Sequence, residues 1–218
     1  MPQRVTTTAM SITRREFGII TAGIAVAASD ASNGVCAAYD EIERGSPMAP
    51  PRVLGPSDGH LAILGGTNAR FIIEGEDAGK RFSIVEHPML PRALAAPMHR
   101  HHREDEYSFV LEGSIGALLG DSVVIGNPGD LIFKPREQWH TFWNAGDAPA
   151  RILEIISPAG FENYFRELGA QLLSGPPDPQ RLAALCASYA LDMDMSSVPG
   201  LVQRFGVRFP GGPPPGPH

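Results

Sequence analysis

Four side chains in this sequence have the types and spacing to hold a metal ion. His99 and His101 stand two apart in Pro97-Met98-His99-Arg100-His101-His102-Arg103-Glu104-Asp105-Glu106, which also supplies Glu106 as a carboxylate. His140 follows in the strand-like run Trp139-His140-Thr141-Phe142-Trp143-Asn144. Three imidazoles and one carboxylate suit a divalent transition metal such as Mn, Fe, Ni or Cu, and the absence of Cys among them excludes a soft thiolate site. Residues two apart in a strand share a face, so His99 and His101 point the same way. Glu106 regains that face after the polar Arg103-Glu104-Asp105 corner, with Ser108 and Val110 behind it. His140 arrives from a distant strand with Phe142 and Asn144 on its side. His102 has the opposite parity and is expected outside the site.

Elements that could position this set are legible in the turn chemistry. Short apolar or alternating runs cover Leu61 to Leu64, Arg70 to Glu74, Arg81 to Glu86, Tyr107 to Leu111 and Ser114 to Leu119. Val123 to Ile125, Leu131 to Phe133, Thr141 to Trp143 and Arg151 to Ile156 continue them. Gly65-Gly66, Glu112-Gly113, Gly120-Asp121, Asn127-Pro128-Gly129 and Ala145-Gly146-Asp147 mark the joints. Strand-length runs between such joints predict one all-β domain over 59–160. Beyond Ser157-Pro158 the period changes. Phe161, Tyr164, Phe165, Leu168 and Leu172 fall at helical spacing. A second helix starts at Asp178 as N-cap with Pro179 at the first helical position, and Leu182, Leu185, Cys186 and Tyr189 form its apolar face. Two C-terminal helices are therefore expected within 161–195, followed by a flexible Pro- and Gly-rich tail over 196–218.

The N-terminus reads as a targeting segment. Arg14-Arg15 and Phe17 precede an uncharged run of small and apolar residues from Gly18 to Ala28, too short to span a bilayer comfortably. Thr13-Arg14-Arg15-Glu16-Phe17 resembles the twin-arginine export motif, so 1–38 is expected to be a signal peptide and the domain to be exported, periplasmic or extracellular. Residues 39–58, rich in acids and then proline, read as a linker or arm. Of the two cysteines, Cys36 is expected to leave with the leader, and Cys186 reads as a small buried hydrophobe. The formal net charge of -6 argues against nucleic acid, which wants a basic face.

His99, His101, Glu106 and Gly113, then Gly129, Pro135, His140 and Asn144, resemble the two motifs of the cupin family at every ligand spacing. The resemblance spans roughly Gly59 to Gly160. It implies a single jelly-roll β-barrel with the metal inside on His99, His101, Glu106 and His140, Asn144 in a structural role, and a homodimer. Glu104 competes with Glu106 as the carboxylate, and the spacing to Gly113 favours Glu106. Glu137 stands where the family has Gly, so the turn before His140 must tolerate a side chain. Within the family, Val110-Leu111-Glu112-Gly113 and Glu154-Ile155-Ile156-Ser157-Pro158-Ala159-Gly160-Phe161-Glu162 look like the quercetin 2,3-dioxygenase-like group. That likeness implies dioxygen and a flavonol-like or other enol-bearing aromatic as substrates, with Glu106 as catalytic base. Met98, Phe82, Phe133, Trp139, Phe142 and Trp143 are the aromatic and soft residues expected to wall such a pocket. An isomerase or hydrolase of a small polar molecule and a non-catalytic extracytoplasmic binding module are the alternatives.

Overall fold

The computed structural model describes residues 49–175 and 178–209. The expected signal peptide with Arg14-Arg15 and Cys36, the first part of the arm and residues 210–218 lie outside them. Residues 49–58 carry no helix or strand. The strands are β1 (Leu61–Ala62), β2 (Ala69–Ile73), β3 (Ser83–Met89), β4 (Met98–His101), β5 (Asp105–Glu112), β6 (Ile115–Leu119), β7 (Ser122–Gly126), β8 (Leu131–Lys134), β9 (His140–Asn144), β10 (Ala150–Ser157) and β11 (Leu191–Asp194). The helices are α1 (Glu162–Leu172), α2 (Pro179–Ser188) and α3 (Val198–Phe205).

Two antiparallel sheets form, ordered β1-β2-β3-β10-β5-β8 and β11-β4-β9-β6-β7. They are separate sheets packed face to face, so the expected barrel is not closed. β10 shows why they pack: Ala150, Ile152, Glu154 and Ile156 are buried, and the residues between them only half so. Ile152 and Val110 of the first sheet meet Ile115, Ala117 and Phe142 of the second in one core cluster. Gly113 makes the turn between β5 and β6 at φ 78, and a Cβ there would stand 2.6 Å from that of Ala150. Glycine meets both demands.

α1 and α2 form where the sequence predicts. Asp178 caps α2, accepting from the backbone of Gln180 at 2.9 Å and Arg181 at 3.1 Å. Both helices pack on the end of the first sheet, where Phe161, Tyr164, Leu185 and Cys186 join Phe71, Val85 and Ile156. Cys186 is free and buried, as its apolar neighbours in sequence suggest.

The tail reading from residue 196 is corrected over 198–205. Val198, Leu201 and Val202 of α3 are buried with Leu94 and Trp143. Pro199 and Gly200 disguise this helix in the sequence, yet proline is tolerated in a first turn because its missing N–H has no intrahelical partner there. β11 pairs with β4 in the register Leu191↔His101 and Met193↔His99, so a late strand covers the His-x-His strand.

Candidate metal centre

β4 and β9 pair so that His99 lies directly opposite His140. The two rings stand 4.2 Å apart between centroids, and the His101 ring 5.5 Å from that of His140. Glu106 reaches the same point from β5 in the facing sheet, its Oε1 3.4 Å from His101 Nε2 and its Oε2 3.2 Å from His140 Nε2. One donor atom from each of the four lies within 4.8 Å of the others, and all four residues are buried. Ser108 and Val110 share the inward face with Glu106, as the parity of the strand predicts.

Hydrogen bonds on the far side of the rings set the tautomers. Nδ1 of His99 lies 2.9 Å from the Pro97 carbonyl and Nδ1 of His140 lies 2.9 Å from the Gln138 carbonyl. A carbonyl can only accept, so each Nδ1 carries the proton and each Nε2 keeps its lone pair, the form a metal needs. Burial holds both imidazoles neutral, with His99 pushed well below its ordinary pKa. Both nitrogens of His101 are buried without a hydrogen-bond partner, and so is Oε2 of Glu104, 3.7 Å from His101 Nδ1. Orphaned polar atoms of this kind are costly unless something satisfies them. A divalent ion on the four donors would take the Nε2 of His101, so the residues present fit such a group. Glu104 stands at the other ring nitrogen, and it is Glu106 whose oxygen lies within the four-residue cluster.

Behind Glu106 lies a buried charge network that the sequence reading did not single out. Lys134 sits opposite Glu106 in the β5–β8 register, and its Nζ is 2.9 Å from Glu106 Oε2 and 2.9 Å from Glu154 Oε2. Ser108 Oγ donates to Glu154 at 3.0 Å. Burial acts to raise Glu106, but the Lys134 ammonium beside it outweighs burial and holds the carboxyl well below its ordinary range. Glu154, deeper and with only Lys134 as its cation, is pushed up to about 7 by burial. Strand parity carried a signal for both. Glu154 shares the face of Ile152 and Ile156, and Lys134 that of Ile132.

Residues 87–156 match the family described as Cupin domain. The fold is of the cupin type. A curated relative, the tetracenomycin polyketide synthase protein TcmJ of Streptomyces glaucescens, is 27% identical over 93 residues, 43% of this chain. The chain matches 62% of that relative's length. Among solved structures, KdgF from Halomonas sp. is 15% identical with a TM-score of 0.46, covering 52% of this chain and 99% of its own. The polyketide cyclase RemF from Streptomyces resistomycificus is 29% identical with a TM-score of 0.44, covering 50% and 80%.

The turn before His140 tolerates the side chain of Glu137. Glu137 adopts φ 63, the left-handed conformation that favours glycine, at a cost of roughly 1–2 kcal/mol. Its side chain is exposed and accepts from His102 Nδ1 at 2.9 Å. His102 also lies 3.0 Å from Asp192 Oδ2, outside the cluster as its parity predicts. Asn144, fully buried, donates to the carbonyls of Leu90 at 3.0 Å and Ala148 at 2.7 Å, tying the loop after β9 to the sheet.

The cluster opens on a cavity of about 930 Å³ lined by His99, Glu106 and Glu154 at its polar end. Of the six residues expected to wall it, Trp139 and Phe142 do so. Phe133 points outward, 47% exposed, and Trp143 packs against α3 on the other side of its sheet. Phe161, Tyr164, Phe165 and Leu168 of the α1 region take the place of the others. Helical spacing exposed their apolar face, and only the fold shows that this face closes the site.

Proposed function

We propose that this chain is a metal-dependent dioxygenase of a flavonol-like or other enol-bearing aromatic. One observation carries the reading: the four-residue cluster opens, through His99 and Glu106, on a large cavity whose remaining walls are mainly apolar and aromatic. A flat aromatic suits such walls, whereas a sugar or another small polar molecule would leave its hydroxyls without partners. The intact ligand set argues equally against a merely non-catalytic binding module.

When bound, the ion supplies Lewis-acid polarisation and a template for the substrate oxygen. The chain's own residues do the rest. His99 and His140 present Nε2 lone pairs fixed by the carbonyls at Nδ1, and His101 adds the Nε2 of a third ring. Glu106 takes the proton of the substrate hydroxyl. Lys134 shares the charge of Oε2, so Glu106 would hold an ion less tightly than a free carboxylate and would remain available as base. A proton gained there is not retained strongly, because the Lys134 ammonium favours the charged form of Glu106. Phe142, Phe161 and Phe165 exclude water from the reacting end.

A purified sample assayed for metal content and for oxygen uptake with flavonols tests this. One ion per chain and flavonol-dependent uptake are expected. A fully loaded protein that consumes no oxygen with any flavonol sinks the dioxygenase. The likeness to a polyketide synthase protein favours one second reading, an enol-bearing polyketide cyclised at the same centre. It predicts ring closure with no oxygen consumed. Export by the twin-arginine route is proposed on Arg14-Arg15, and replacing both by Lys should retain the protein in the cytoplasm. A homodimer is proposed on the family resemblance, and a single-chain mass in sedimentation at micromolar concentration would contradict it.

A further inference from the structure

The cavity has a second polar feature, away from the four ligands. His87 on β3 points to the interior between Val85 and Met89, is 3% exposed, and lines the cavity. Its Nδ1 is 2.8 Å from the carbonyl oxygen of Asn68. That oxygen only accepts, so the ring proton resides on Nδ1 and Nε2 is a bare acceptor. Among the described residues no hydrogen bond is found for Nε2. The ring is held edge-on to Phe165 at 5.1 Å between centroids and lies 6.1 Å from Phe142. Burial lowers its pKa to about 4, which keeps it neutral at physiological pH. The neighbour of Asn68 adds a second unpaired group: Thr67 lines the cavity, is 5% exposed, and its Oγ1 is buried without a partner.

Thr67 Oγ1 is a buried hydroxyl that is costly to leave unpaired, and Nε2 of His87 is an acceptor open to the cavity. They are also placed at a useful distance. His87 pairs with Ile152, which pairs with Val110, two strands over from β3. Glu106 lies four residues along β5 from Val110. Strand spacing and rise put the two backbones roughly 15 Å apart, and the side chains converge from there into one cavity, with the Phe142 ring, 6.1 Å from that of His87 and 4.4 Å from Lys134 Nζ, between the two ends. A molecule of two or three rings can present an oxygen to each end.

We propose that His87, with Thr67, is a specificity subsite that binds a hydroxyl on the far end of the substrate, Nε2 of His87 accepting its proton and Thr67 Oγ1 completing the contact. The inference rests on the aromatic-substrate reading above and deepens it: the substrate is an aromatic with two separated oxygen functions, an enol at the metal end and a phenolic hydroxyl at the other. Neither residue takes part in the chemical step. Both select, because a site built around a hydroxyl rejects an analogue that lacks the donor.

The test uses the metal-loaded full chain and two probes, a flavonol with a free phenolic hydroxyl on the ring remote from the enol and the same compound with that hydroxyl methylated. Binding is read by quenching of tryptophan fluorescence, since Trp139 lines the cavity. The free phenol is expected to bind wild type at least about tenfold more tightly than its ether, the factor that one hydrogen bond provides. His87→Leu should collapse that ratio to within twofold while leaving the affinity for the ether unchanged, and His87→Gln, which keeps an acceptor, should retain part of it. Thr67→Val, nearly isosteric, should reduce the ratio without abolishing it, and it serves if the His87 variants fail to fold. Wild type that binds both probes equally, or Leu and Val variants that keep the full preference, overturns the subsite and leaves the aromatic reading standing. Wild type that binds neither probe overturns the aromatic reading, and the subsite falls with it.

Discussion

Replacing Lys134 by Met removes the only ammonium in the buried network and leaves the shape of the side chain nearly intact. The Lys134 side chain has 0% exposure, those of Glu106 and Glu154 have 4% and 1%, and both carboxylates contact its Nζ at 2.9 Å. Removing one partner from a buried pair leaves a bare charge and costs about 3–5 kcal/mol. In a chain of this size that corresponds to a fall in Tm of roughly 6–20 °C. The loss should depend on pH with a definite sign. Burial already raises Glu154 to about 7. Without the ammonium its folded pKa rises further, and a carboxyl raised above its unfolded value contributes stability that is present at low pH and lost as pH rises through the folded pKa. The variant should therefore be worst near pH 8 and recover at least about 1 kcal/mol of its deficit near pH 5.5. Adding Glu154→Gln to Lys134→Met should recover more than half of the loss at pH 8, because the second bare charge is then gone. Urea denaturation followed by tryptophan fluorescence, with a chelator present so that no ion compensates Glu106, reads all three proteins. A single variant within about 0.5 kcal/mol of wild type at pH 8, or a double variant no better than the single, refutes the reasoning.

Glu106→Gln should keep part of the metal and lose turnover, which metal analysis beside oxygen uptake will separate; equal loss of both would make Glu106 a ligand alone. His102→Ala should keep metal and activity, since its contacts are Glu137 and Asp192 at the surface, and loss of the ion in that variant would contradict the ligand assignment. His87 gives a second pH test. Its folded pKa of about 4 lies below the unfolded value of 6.5, so the unfolded chain binds more protons between the two and stability falls as pH falls through that window. The drop is about 3.4 kcal/mol at most, and His87→Leu should remove it; an unchanged slope between pH 6.5 and 4 would show that another group carries the dependence.

Much of the site is legible in the sequence, because strand parity is a strict period. His99, His101 and His140 lie where a two-residue repeat and antiparallel pairing put them, and His102 is outside for the same reason. The turn residues marked nine of the eleven strands, as glycine and proline punctuate a β domain clearly. β4 itself was inferred from its two histidines, and β11 was missed because Leu191-Asp192-Met193-Asp194 has no turn signal before it and is defined by pairing with β4. Lys134 and Glu154 escaped because charged residues in strands are ordinarily read as solvent-facing. In β8 the apolar Leu131 and Phe133 are the exposed ones, 55% and 47%, which inverts the usual pattern. His87 was hidden differently: one histidine in an apolar strand is most often a satisfied core residue, and only the cavity beside it shows that one nitrogen is left without a partner.

The position of the metal ion is the decisive quantity. An anomalous-scattering map collected at the absorption edge of whatever transition metal the purified protein carries decides it most directly. The predicted result is one peak per chain enclosed by Nε2 of His99, His101 and His140 and a carboxylate oxygen of Glu106, with nitrogen distances of about 2.0–2.1 Å if the ion is zinc. No peak there in protein whose metal analysis returns one ion per chain, or a peak on His102 with Glu137 and Asp192 instead, would contradict the assignment and everything built on it.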